Sequence, residues 1–132
     1  MADIILDTCA YSAFMKGNIV VNKWIQESEK IFLNPIIIGE LKAGFIQGLK
    51  SKRNEDQLIS FLETPRVNIL SIDEDTSERY AIILKSLRKA GTPLPTNDIW
   101  IAATAMQYGL FVITTDKHFL NVVHVIVKLI EF

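Results

Sequence analysis

The chain has 132 residues, 49% of them hydrophobic and 22% charged, enough for one domain with a real core and too few for two, so a single domain over residues 1–132 is expected. A formal charge of −1 gives no global pull toward nucleic acid, and the lone cysteine, Cys9, can form neither an internal disulfide nor, alone, a cysteine metal site. No apolar run approaches the roughly 20 residues of a membrane span, and no basic region precedes the apolar N-terminal stretch, so the expected location is the cytoplasm.

In chain order, Ile4 to Leu6 reads as a strand ending in Asp7, followed by a helix with Tyr11, Phe14 and Met15 at helical spacing before Gly17. Val20 to Glu27 reads as a second helix with Val21, Trp24 and Ile25 on one face, and Lys30 to Leu33 as a second strand. Asn34-Pro35 opens a helix with Ile37, Ile38, Leu41, Phe45 and Ile46 expected inward and Ile36 and Glu40 on an adjoining face. Asn54 to Leu62 should form a further helix with Leu58, Ile59, Phe61 and Leu62 inward, and Val67 to Ile72 a strand. A helix from Thr76 to Lys89 has acids before it and bases at its end, as the helix dipole favours. Asn97-Asp98 is expected to cap a helix running to Tyr108, with Gly109 as its stop, then Leu110 to Thr114 a strand, and Val122 to Leu129 the last one. Strands alternating with helices predict a parallel sheet covered by helices on both faces.

Asp7, Asp98 and Asp116 all sit at element junctions, and in an open parallel sheet such junctions can meet at the carboxyl edge however distant in sequence. Taken singly, each is explained as a helix cap. Capping gives no reason, however, for Glu40 inside the apolar run IIIGEL. Several carboxylates in one pocket repel one another unless a cation or proton compensates, and oxygen donors without His or Cys favour Mg²⁺ or Mn²⁺ over zinc.

The stretches MADIILDTCAYSAF, PIIIGELKAG, LPTNDIWIAATA and VITTDKHF resemble, in order, the four acidic motifs of the PIN domain, especially its VapC-type toxin branch, over nearly the whole chain. The resemblance implies an α/β/α sandwich with a central, mainly parallel sheet of about five strands, an ordinary size for such sheets. It implies a metal-dependent endoribonuclease using Mg²⁺ or Mn²⁺, with Asp7, Glu40, Asp98 and Asp116 as the acidic quartet, both catalytic and metal-holding, and Thr8 and Thr114 as supporting hydroxyls. It also implies an RNA substrate, a homodimer and a separate antitoxin protein. Cys9 departs from the Ser or Asn more usual after Asp-Thr, without touching a ligand position. The competing reading is a catalytically silent PIN-like scaffold that binds RNA or protein, for which one of the acids should be missing.

Other residues invite weaker stories. His118, on a turn, and His124, among valines, read as structural rather than as general bases, and Ser12 is placed either facing the pocket or simply on a polar helix face. Lys42, Lys50, Lys52 and Arg53 read first as a solvated helix face and second as a phosphate contact. A carboxylate phosphotransferase would need a second acid close behind Asp7, and Thr8-Cys9 supplies none.

Overall fold

A computed structural model describes residues 2–131. Its centre is a five-stranded, wholly parallel sheet in the order β3-β2-β1-β4-β5, built from β1 (Ile4–Leu6), β2 (Ile31–Leu33), β3 (Val67–Ile69), β4 (Phe111–Thr114) and β5 (Ile126–Leu129). Six helices flank it: α1 (Thr8–Met15), α2 (Ile19–Glu27), α3 (Pro35–Gln47), α4 (Ser51–Leu62), α5 (Glu74–Ala90) and α6 (Thr96–Tyr108). This is the expected α/β/α architecture. β1 and β2 carry apolar side chains at successive positions, as strands covered on both faces must, and Ile4, Ile5, Leu6, Ile31 and Leu33 are fully buried.

The strand order reverses at β1, which pairs with β2 on one side and β4 on the other. In open parallel sheets the crevice outside such a reversal, at the carboxyl ends of the strands, is where ligands bind. The β1–β4 register matches Leu6 with Ile113, so the next residues, Asp7 and Thr114, stand level at that edge.

Several boundaries and faces differ from the sequence reading. α4 begins at Ser51, three residues early, and α5 begins at Glu74 because Asp73 caps it: its side chain accepts from Thr76 N while the Thr76 hydroxyl accepts from Asp73 N. β3 ends at Ile69, short of the expected Ile72. Ile46 is 79% exposed and Ile59 46% exposed, although both were expected inward. Ile46 lies five positions past Leu41, roughly 140° around the helix from the seam set by Ile37 and Leu41. Ile59 follows buried Leu58 directly, which turns it about 100° away.

Most consequential is α6. It starts at Thr96 with Pro95 at the cap position and no side-chain cap hydrogen bond. Asp98 is therefore not a cap: it lies in the first turn, and the capping explanation fails for it.

Candidate functional site

Asp7 leaves the end of β1, where its backbone N–H still donates to Ile113 O (3.2 Å) as an extension of the sheet. Its side chain is 3% exposed and fully engaged: Oδ1 accepts from Ala10 N (2.8 Å), capping α1, and Oδ2 accepts from Thr114 Oγ1 (2.5 Å). The Thr114 hydroxyl in turn accepts from Asp116 N (3.0 Å), so one buried threonine links the acids at the ends of β1 and β4. Burial pushes the Asp7 carboxyl up to about 6. The two hydrogen bonds oppose that rise, and the charges of Asp98 and Asp116 add to it.

Asp98 reaches the same space from α6. Burial pushes its carboxyl up to about 6, with the charges of Glu40 and then Asp116 adding and His118 opposing. Its dominant charge neighbours are thus two other members of the quartet, Glu40 and Asp116. Glu40 comes from α3, partly buried rather than turned out to solvent: Oε1 accepts from Thr8 Oγ1 (2.6 Å) and Oε2 from Asn97 Nδ2 (3.2 Å). Asp116 caps the 3₁₀ turn at Lys117–Asn121, its Oδ1 accepting from His118 N (2.9 Å) and lying 2.7 Å from His118 Nδ1.

The fold thus brings together all four acids named from the sequence, and Thr8 and Thr114 each hold one of them. Asp7 and Asp116 cap helices as well; Glu40 and Asp98 do not. As the side chains stand, no three His, Cys, Asp or Glu residues among those described form a group that could hold an ion. The arrangement is a set of carboxylates coupled through space, not a finished ligand sphere. Its chemistry nonetheless fits a hard divalent cation: the donors are oxygens, and burial with mutual repulsion makes the charged forms of Asp7 and Asp98 costly until a positive charge is near.

Two partners were not assigned from the sequence. Asn97, read as a cap, instead holds Glu40; its signal was its position beside Asp98 on the first turn of α6. Asn34, fully buried, caps α3 through Ile37 N (3.0 Å) and donates from Nδ2 to Thr104 Oγ1 (3.0 Å), tying the start of α3 to α6. His118 is on an exposed turn as expected, but its contact with Asp116 and its effect on Asp98 bring it to the rim of the site. The Cys9 thiol is pushed up, first by desolvation and then by the Asp7 charge.

Comparison with known proteins bears on the family and the fold. The PIN domain family matches residues 4–125. Ribonuclease VapC4 of Mycobacterium tuberculosis (strain ATCC 25618 / H37Rv) is 34% identical over 84 residues, 64% of this chain and 65%, just under two thirds, of that relative. Ribonuclease VapC of Rickettsia bellii (strain RML369-C) is 28% identical over 115 residues, covering 86% of this chain and 84% of the relative. Among solved structures, VapBC2 from Rickettsia felis, bound to a DNA fragment from its promoter, has the same fold, with a TM-score of 0.85 over 98% of this chain and 99% of that one at 21% identity.

Proposed function

The chain belongs to the PIN domain family, and from that premise we propose that it is an endoribonuclease dependent on Mg²⁺ or Mn²⁺ and the toxin of a toxin–antitoxin pair. The observation that carries the reading is the convergence of Asp7, Glu40, Asp98 and Asp116, from four separate elements, on the carboxyl edge of the sheet, where Asp98 feels both Glu40 and Asp116. The similarity to ribonucleases named VapC supports the substrate class.

Asp7 and Asp98 would be the main holders of the ion, with Glu40 and Asp116 acting directly or through water. When bound, such an ion neutralises charge developing in an in-line phosphodiester displacement and eases deprotonation of the attacking water. Thr114 fixes one oxygen of Asp7, and Thr8 and Asn97 fix those of Glu40, so the donors start near their working positions rather than being gathered from solvent. Apolar strands beneath the acids exclude water from one side of the site, which strengthens each charge interaction there.

A homodimer, a cytoplasmic location and an antitoxin covering the acidic edge belong to the same reading. Exposed Ile46 and Leu49 at the α3–α4 turn supply apolar surface for assembly. No helix among the described residues is long and apolar enough to cross a membrane.

Cleavage of a mixed panel of structured and single-stranded RNAs tests the chemistry. Cutting is expected with Mn²⁺ or Mg²⁺ and should vanish with EDTA or in Asp7→Asn; activity surviving either control overturns the mechanism. Expression of the chain alone should arrest a bacterial host, and Asp7→Asn should not. Unchanged growth with active enzyme present removes the toxin assignment.

A further inference from the structure

Thr114 holds Asp7, and Thr8 and Asn97 hold Glu40, each through a side-chain hydrogen bond. Asp116 is held differently, by His118 two residues further on. Both donors of that residue converge on one oxygen: Oδ1 accepts from His118 N (2.9 Å) and lies 2.7 Å from His118 Nδ1. A carboxylate offers only acceptors, so Nδ1 carries the hydrogen in this contact, and it can do so with the ring neutral or charged. Oδ2 of Asp116 takes no hydrogen bond among the described residues.

The turn that carries the ring is anchored on both sides. Thr114 Oγ1 accepts from Asp116 N (3.0 Å), which ties its start to β4 and, through the same hydroxyl, to Asp7. Phe119, directly after His118, is 1% exposed and donates from its N–H to Asp116 O (3.3 Å). The His118 side chain itself is 61% exposed and so adds little to the core. Its influence on Asp98 puts the ring near the acid that α6 supplies as well as the one at the end of β4. Capping the turn needs only the backbone N–H, which any residue but proline would provide at this position. The ring bond is therefore surplus to the turn. Its effect falls on the carboxylate, whose χ2 torsion is otherwise broad and would present either oxygen.

We propose that His118 is a positioning residue of the site: its Nδ1–H, together with its backbone N–H, locks Asp116 on Oδ1 and leaves Oδ2 as the oxygen offered to the divalent ion. The inference rests on the metal-dependent reading above and adds how the fourth acid is aimed.

The test measures Mn²⁺ binding to the full chain, without RNA, by electron paramagnetic resonance of the free ion. His118→Ala should weaken binding about tenfold, the lower end of what losing a hydrogen-bond partner of a ligand costs. His118→Asn should bind nearly as wild type does, because its amide Nδ2 reaches the place of Nδ1. His118→Gln, whose amide lies one carbon further out, should behave as the alanine variant. In an Asp116→Ala background, His118→Ala should cost nothing more, since its role runs through Asp116. The three single variants should melt with wild type in EDTA, because the side chain is exposed. Unchanged affinity in His118→Ala overturns the proposal, and so does His118→Asn binding no better than His118→Ala. A loss that persists in full in the Asp116→Ala background also overturns it, by making His118 a ligand in its own right. A wild-type chain that binds no Mn²⁺ sinks the metal reading itself, so the two failures are distinguishable.

Discussion

Both oxygens of Asp7 accept hydrogen bonds, yet the carboxyl is pushed up to about 6, which means that burial among other acids outweighs the bonds that should hold it ionised. A carboxyl raised from 3.8 in this way contributes stability that is fully present below the unfolded value and lost as pH rises through about 6, because the native state keeps a proton the unfolded chain has released. Asn is isosteric, uncharged and still a good cap. Asp7→Asn is therefore expected to abolish cleavage and yet, in EDTA above pH 6, to melt no lower than wild type and up to the equivalent of about 3 kcal/mol higher. The gap should close as pH falls toward 4. A variant that melts lower at every pH would mean that Asp7 stabilises the fold as a carboxylate, contrary to its surroundings. Which acids the fold gathers was largely legible at this scale, since Asp7, Glu40, Asp98 and Asp116 are all named from the sequence. The partners Asn97 and Asn34 were not, because a cap and a long-range hydrogen bond begin with the same residue types.

At the scale of elements, the site depends on how α3 and α6 are set against each other, since Glu40 rides on one and Asp98 on the other. Asn34 joins them with both ends of its amide, capping α3 and donating to Thr104. Asn34→Ala removes the cap and leaves the buried Thr104 hydroxyl only its bond to Trp100 O (3.0 Å). The expected cost is about 2–3 kcal/mol in denaturant unfolding, from a lost cap and a lost buried hydrogen bond. The surviving folded fraction should also show lower kcat, because α3 and α6 lose the tether that fixes Glu40 against Asp98. A fully active Asn34→Ala enzyme would show that sheet packing alone sets the two helices. Helix and strand order were readable from periodicity, whereas inward faces were less so. Ile46 and Ile59 are apolar and adjoin core positions, and only the seam actually used by α3 and α4 decides that they lie outside.

For the whole molecule, the unresolved demand is the apolar surface left outward at the turn between α3 and α4. Ile46 is 79% exposed and Leu49 wholly so. Burying two such side chains on each protomer is worth roughly 1.5–3 kcal/mol apiece, enough to contribute to self-association without fixing it alone. Light scattering of the purified chain is expected to return a dimer, and Leu49→Lys to shift it toward monomer with the fold intact by circular dichroism. A wild-type monomer at high concentration would remove the homodimer. Net charge belongs to this scale too: −1 overall conceals an acidic edge that the summed value cancels.

Residue order alone carries the α/β class, the run of alternating elements and the four candidate acids, because apolar periodicity and residue type are local properties that survive without coordinates. Tertiary structure decided everything that depends on which distant residues meet. Parallel pairing of β1 with β4 set Asp7 level with Thr114, and the start of α6 at Thr96 removed the capping explanation for Asp98. Pairing of Lys42 and Lys52 with acids on α4 left Lys50 and Arg53 without an ion pair among the described residues. Such facts lie outside any one stretch of sequence, since a charge, a cap or a hydroxyl has its chemistry set by the neighbour the fold supplies.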